Sequence, residues 1–141
     1  MPGVDRCQVV VAGAGPVGTV IATLLAKAGV SVIVLESGAD CAQDLRASTF
    51  HPPTLEMLDE IGITAMLLDK GLKAPVYHWR DRQSGEAIAF DMAELADVTR
   101  YPFRIQCEQY HLSRALAEGL EAYANADLRF NSRLLTFTQD D

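Results

Sequence analysis

Residues 9–29 read VVVAGAGPVGTVIATLLAKAG: an apolar run passes into three spaced glycines and then into a pattern with helical steps. The string GxGxxG is weak evidence alone, because glycine-rich turns are common, so the flanks decide. Val9, Val10 and Val11 are β-branched and stop at the glycine turn, which predicts a strand buried on both faces of a parallel sheet. Beyond the turn, Val17, Val20, Ile21, Leu24, Leu25 and Ala28 recur at three- and four-residue steps from a helix start near Val17, which predicts that this face packs on the sheet. Gly29 can take the positive φ that ends a helix. Residues 31–35, SVIVL, are a second buried-strand run finishing at Glu36. The whole reads as one strand–helix–strand unit.

In such a unit Gly13 permits the tight turn, Gly15 lets the backbone approach a pyrophosphate, and Gly18 lets the helix lie close to the strand. Pro16 and Val17 open the helix, whose unpaired N–H groups and positive dipole end face the phosphates. Glu36, followed by Ser37, lies 36 − 18 = 18 residues past the third glycine. That is near the spacing of an acid that accepts hydrogen bonds from an adenosine ribose. The stretch reads as a dinucleotide site, with the identity of the dinucleotide open at this point.

At 141 residues with 49% hydrophobic and 22% charged positions, the chain has the composition of one soluble globular domain. A net charge of −7 gives no basic footprint for nucleic acid or an anionic membrane, which favours small-molecule partners. Cys7, Cys41 and Cys107 match neither a zinc spacing nor a disulfide framework, and read as thiols of a reducing, cytoplasmic compartment. No apolar run reaches membrane-spanning length.

After Glu36 an ordinary nicotinamide-binding domain would continue into another crossover helix and a third parallel strand. Here SGADCAQDLRASTFHPP reads as a loop, Thr54 opens a helix with Leu55, Leu58 and Ile61 at helical spacing, Gly62 stops it, and residues 64–70 add a further helical turn or two closed by Gly71. From residue 75 to 92 the period changes to two: Tyr77 with Trp79 and Ile88 with Phe90 give a hairpin with one apolar face around RQSG. Such a hairpin fits a separate layer better than a parallel sheet. Residues 103–107 read as a short strand and 110–124 as a helix with Leu112, Leu116, Gly119, Leu120 and Tyr123 on one face. Residues 128–130 follow as a strand, and 133–139 as an alternating strand that stops at an Asp-Asp pair, as though cut at a hairpin turn.

Three separated stretches together resemble the single-component FAD-dependent aromatic hydroxylases, the class A flavoprotein monooxygenases that include para-hydroxybenzoate hydroxylase. They are VVVAGAGPVG ending in Glu36; RASTFHPPTLEMLDEIG, with Arg46, Ala47, Leu55, Glu56, Leu58 and Gly62 on the family pattern; and QYHLSRAL, with Gln109 seven residues before Leu116. The resemblance implies an α/β fold: the N-terminal part of a Rossmann-like FAD-binding domain with an inserted antiparallel β-hairpin belonging to a substrate-domain sheet. It divides the chain into a first FAD-binding part (1–72), a hairpin excursion (73–103) and a continued, truncated FAD-binding part (104–141). It also implies a cofactor set of Gly13, Gly15, Pro16, Val17, Gly18, Glu36, Ser37, Arg46, Ala47 and Gln109, with Glu36 on the adenosine ribose and Arg46 and Gln109 on the ribityl-pyrophosphate region. Arg46 offers a planar set of donors, and Gln109 both a donor and an acceptor.

The implied activity is hydroxylation of a phenolic substrate with NAD(P)H and O2. Where the family often has a basic residue after the ribose acid, this chain has Ser37, and the family's later Asp-Gly and Gly-Asp dipeptides occur nowhere in it. The expectation is therefore a front piece of a longer enzyme, inactive alone and completed by its C-terminal remainder, with homo-oligomerisation left open. No residue reads as a catalytic base or metal ligand; His51, His78 and His111 read as surface or structural histidines. Two alternatives stand beside this reading: an NAD(P)-dependent Rossmann dehydrogenase and a non-catalytic dinucleotide-binding fragment.

Overall fold

The computed structural model describes residues 6–43 and 47–140. In chain order its elements are β1 (Val9–Ala12), α1 (Pro16–Lys27), β2 (Val32–Leu35), β3 (Thr49–Phe50), α2 (Pro52–Asp59), α3 (Thr64–Lys70), β4 (Leu72–Ala74), β5 (Val76–Arg80), β6 (Ala87–Asp91), β7 (Arg104–Gln106), α4 (Gln109–Gly119) and β8 (Ala126–Arg129). Short 3-10 turns stand at Met92–Leu95 and Leu120–Ala122. Packing divides the chain into two compact units, one from the segments up to residue 45 and from 110 onward, the other from 46 to 109.

The first unit is a parallel sheet in the order β1-β2-β8, with Val9 paired to Val32 and Val34 to Leu128. Its core is Ala14, Ala22, Ala26, Val32, Val34, Cys41, Ala117 and Leu120, with Val9, Val11, Leu25 and Leu128 packed against it. β1 departs from the sequence expectation: Val10 is 53% exposed, so the strand is covered on one face and open on the other among the described residues. α1 departs further. Its buried face is Thr19, Ala22, Thr23 and Ala26, whereas Val17, Ile21 and Leu24 are exposed.

Gly18 supplies the reason. A Cβ there would stand 2.0 Å from the Gly13 carbonyl oxygen and 3.3 Å from Val11 Cγ1, so the helix rides too close for large side chains to fit beneath it. Gly29, at φ +79°, ends the helix as expected. Asn125 ties this end down, its Nδ2 donating to the carbonyls of Ala26 (3.0 Å) and Val30 (2.9 Å). α4 buries Leu112, Ser113, Leu116 and Ala117 and ends at Gly119, earlier than the sequence suggests. The alternating segment 133–139 forms no strand, and Leu135 and Phe137 are exposed. Alternation alone does not make a strand; a ladder needs a partner for its N–H and C=O groups.

The second unit holds an antiparallel sheet in the order β3-β7-β4, in which Phe50 and Lys73 both face Ile105. β3 lies where a loop was expected, and α2 begins at Pro52 instead of Thr54. Prolines at its first positions have φ preset for a helix and lack N–H groups that would go unbonded there. Leu55 and Leu58 are buried, and Thr64 Oγ1 donates to the Leu55 carbonyl at 2.7 Å. β5 and β6 form a separate antiparallel pair that sets Tyr77 opposite Phe90 and Trp79 opposite Ile88, all four exposed. Asp81 closes the turn, its Oδ1 accepting from Gln83 N–H at 2.9 Å. Among the described residues no helix is long and apolar enough to cross a membrane.

Candidate cofactor site

The carboxyl ends of β1 and β2 meet at the glycine turn, the end of a parallel sheet where ligands bind in α/β proteins. Gly13 has φ +100°, a conformation a side chain resists, and its N–H donates to the Leu35 carbonyl at 2.8 Å. This hydrogen bond joins the turn to the end of β2. Ala14 N–H then donates to Glu36 Oε2 at 2.7 Å, so the acid leans back onto the turn. Its other oxygen, Oε1, accepts from Gly38 N–H at 2.8 Å and Ser37 Oγ–H at 3.2 Å. Gly38 N–H and then Ala14 N–H hold the Glu36 carboxyl below its ordinary pKa, against a smaller opposing effect of burial, so it is an anion at neutral pH.

A carboxylate has about four acceptor positions. Three are taken here, which leaves Oε2 able to accept one more donor of the kind a ribose hydroxyl offers. Gly15 precedes the helix with φ −74° and ψ −178°, an extended conformation open to any residue, and a Cβ built on it would meet nothing within 4 Å. Neither backbone strain nor internal packing accounts for glycine at that position; open space over the start of a 12-residue helix does, if something must come close to the backbone. Pro16 occupies the first helical position and Val17 the next, 79% exposed. The first-turn N–H groups have no partner within the helix. Oriented donors at a helix start and an anionic acceptor beside them suit a dinucleotide's pyrophosphate and ribose.

The structure therefore brings Gly13, Gly15, Pro16, Val17, Gly18, Glu36 and Ser37 together in the first unit. In the second unit Ala47 and Gln109 meet directly, Gln109 N–H donating to the Ala47 carbonyl at 3.1 Å as α4 begins. Arg46 lies outside the described residues. Sequence reading missed the two donors that orient the acid, Ala14 N–H and Gly38 N–H. Backbone groups carry no side-chain signal, and only the fold brings residue 14 to residue 36. It also missed the clamp behind Glu36, whose own N–H donates to the Arg129 carbonyl (2.9 Å) while its carbonyl accepts from Ser132 N–H (2.7 Å).

Residues 6–141 match the family described as "FAD binding domain". The chain is 35% identical over 134 residues to para-nitrophenol 4-monooxygenase of Pseudomonas sp. (strain WBC-3), covering 94% of this chain and 33% of that protein. It is 34% identical to 6-hydroxy-3-succinoylpyridine 3-monooxygenase of Pseudomonas putida over 125 residues, 89% of this chain and 32% of that protein. The crystal structure of p-nitrophenol 4-monooxygenase from Pseudomonas putida DLL-E4 superposes with a TM-score of 0.86 at 36% identity, covering 94% of this chain and 33% of that one. The chain thus spans about a third of the length of the curated relatives it matches.

Proposed function

The chain belongs to the FAD binding domain family, and from that premise we propose that it is the cofactor-binding front part of an FAD-dependent monooxygenase that hydroxylates a phenolic or related aromatic substrate with NAD(P)H and O2. The observation that carries this reading is Gly15, a glycine that neither backbone strain nor packing requires, opening α1 beside an anionic Glu36. The two relatives bear names of monooxygenases acting on a nitrophenol and a hydroxylated pyridine, which supports an aromatic substrate. Family membership gives no support to a nicotinamide-dependent dehydrogenase.

In this reading Gly13 shapes the turn, Gly15 admits the pyrophosphate, and Gly18 fixes α1 close to β1. Pro16 and Val17 present the start of the helix, and Glu36, with Ser37 beside it, accepts the adenosine ribose. Arg46, Ala47 and Gln109 serve the ribityl and pyrophosphate region. Bound FAD would accept a hydride from NAD(P)H and supply the oxygen chemistry. Residues 1–72 and 104–141 form the FAD-binding part of a Rossmann-like domain. Residues 73–103 are an inserted hairpin that joins a substrate-domain sheet, and the exposed row of Tyr77, Trp79, Ile88 and Phe90 supports that role. The remaining length of the enzyme completes the flavin and substrate sites. The cysteine usage suits the cytoplasm.

The test, made on the whole enzyme of which this chain is the front part, is flavin retention through extended purification, followed by FAD titration of the wild type and Glu36→Ala. The expected loss is about 1.5–3 kcal/mol, the range for a hydrogen bond to a charged group. An unchanged FAD dissociation constant would remove Glu36 from the site, and a colourless protein with no FAD affinity would remove the oxygenase reading.

A further inference from the structure

Of the residues in the stretch RASTFHPPTLEMLDEIG, Leu55 and Leu58 are accounted for by the core and Gly62 by its φ of +78°, but Glu56 by neither. It shares a side of α2 with Asp59, and both acids reach residues 99–101. Glu56 Oε1 accepts from the Thr99 hydroxyl at 2.7 Å and from Arg100 N–H at 3.2 Å. The same Thr99 oxygen accepts from Tyr101 N–H at 3.1 Å. Asp59 Oδ2 pairs with Arg100 Nη1 at 2.8 Å, and the Arg100 guanidinium carbon lies 5.5 Å from the centre of the Tyr101 ring. The Arg100–Asp59 pair, 66% exposed on the arginine side, is worth little alone. The Glu56 bonds are another matter, because a carboxylate that accepts a hydroxyl proton and a backbone N–H makes charge-assisted bonds. The Thr99 hydroxyl, and after it the Arg100 N–H, hold that carboxyl below its ordinary pKa.

Residues 99–101 lie on the limb by which the chain returns from the β5–β6 pair to β7. The outgoing limb is held by a ladder, β4 pairing with β7 from Leu72–Gln106 to Ala74–Arg104, and Met92 N–H closes the base of the pair on the Pro75 carbonyl at 2.9 Å. On the return limb the Ala96, Val98 and Thr99 N–H groups bond within the limb, to the Ala93 and Leu95 carbonyls, and these bonds fix it to nothing else. α2 is a firm anchor, with Leu55 and Leu58 buried and the Leu55 carbonyl held by Thr64. We propose that Glu56 and Asp59 are positioning residues, which fix residues 99–101 on α2 and so set where the β5–β6 pair stands. Tethered on one limb alone the pair would swing about β4; tethered on both it has a single attitude. The inference goes beyond the oxygenase reading, since it gives neither acid a ligand, and rests on it only in taking the pair to join a further sheet of the enzyme.

The test is amide hydrogen exchange on the whole enzyme, in wild type, Glu56→Ala and Glu56→Gln. Alanine is the strongest helix former, so α2 keeps its helix while both acceptor bonds go. The Arg100 and Tyr101 amides, bonded to Glu56 and to the hydroxyl that Glu56 orients, should exchange about tenfold or more faster in Glu56→Ala. Residues 76–91, bonded to one another across the pair, should exchange faster with them, a change that a purely local bond would not produce. Glu56→Gln keeps an acceptor oxygen for both donors and should restore most of the protection. If Glu56→Ala fails to fold, Thr99→Val removes the shared hydroxyl from the other side and carries the same expectation at Tyr101 and at 76–91. Wild-type exchange at Arg100 and Tyr101 overturns the proposal. So does fast exchange there with residues 76–91 unchanged, since the acids would then hold a loop and position nothing. FAD affinity measured on the same samples separates the two readings. The expected exchange pattern in an enzyme that binds no FAD sinks the oxygenase reading alone, and bound FAD with unchanged exchange sinks the positioning role alone.

Discussion

Gly15 and Gly18 stand three residues apart, and internal packing demands glycine only at Gly18. At Gly18 a Cβ would sit 2.0 Å from the Gly13 carbonyl oxygen, about 1 Å inside the closest approach that real Cβ atoms show, and the obstacle is backbone. Gly18→Ala must lift α1 off β1, loosening the small-residue face of Thr19, Ala22, Thr23 and Ala26. Overpacking typically costs about 1–3 kcal/mol, and a rigid obstacle puts this change near 3. At Gly15 the new methyl group meets nothing and φ is ordinary, so Gly15→Ala should leave stability unchanged or raise it by roughly 0.4–1 kcal/mol through the unfolded chain. FAD affinity should nonetheless fall, because the methyl group occupies the approach to the backbone. Urea denaturation and FAD titration of both variants check the pair. A Gly15→Ala protein with wild-type FAD affinity refutes the argument that the pyrophosphate comes close there. A Gly18→Ala protein within 0.5 kcal/mol of wild type, the roughly expected scatter for neutral surface changes, refutes the close approach of helix and strand.

Three further outcomes are expected. Because Gly38 N–H and Ala14 N–H depress the folded-state pKa of Glu36, its contribution to stability is present above the ordinary carboxyl pKa and is lost as pH falls through the depressed folded value. Urea midpoints followed downward from neutral pH should fall less steeply for Glu36→Gln than for wild type, and parallel profiles would count against this. Thr64→Val removes a fully buried donor to the Leu55 carbonyl and should cost about 1–2 kcal/mol by denaturant titration, with a neutral result showing that the bond is not needed. Trp79→Lys with Ile88→Glu puts opposite charges on paired, exposed positions; sedimentation should show less concentration-dependent association than wild type if that face is adhesive.

The strand–helix–strand unit and the hairpin were legible because their periods differ and their boundaries are marked by glycine and turn residues. The buried face of α1 was not. Helical periodicity points to the large apolar residues Val17, Ile21 and Leu24, yet the close approach set by Gly18 selects small ones, and that is a three-dimensional constraint. β3 has two residues and β4 and β7 three each, too short to show any period, and only their pairing across residues 49 to 106 makes them a sheet. In the candidate site the glycines and Glu36 stand out by their spacing, while the backbone donors that orient Glu36 leave no mark in the sequence.

The pairing of β2 with β8 has a temporal side. Val32 meets Ala126, 126 − 32 = 94 residues later, and Asn125 brings the bonds that hold the end of α1. Closing a loop of that length costs on the order of 4 kcal/mol in chain entropy before any contact repays it. On the ribosome, β1, α1 and β2 therefore emerge as a set whose inner strand has one edge bare until nearly the whole described chain has been synthesised. The β5–β6 pair closes within a few residues of its turn. Local hairpins form in microseconds, whereas distant parallel pairings are slow. The order of folding thus runs against the order of synthesis: the β5–β6 hairpin acquires structure while the glycine turn after β1 waits for β8.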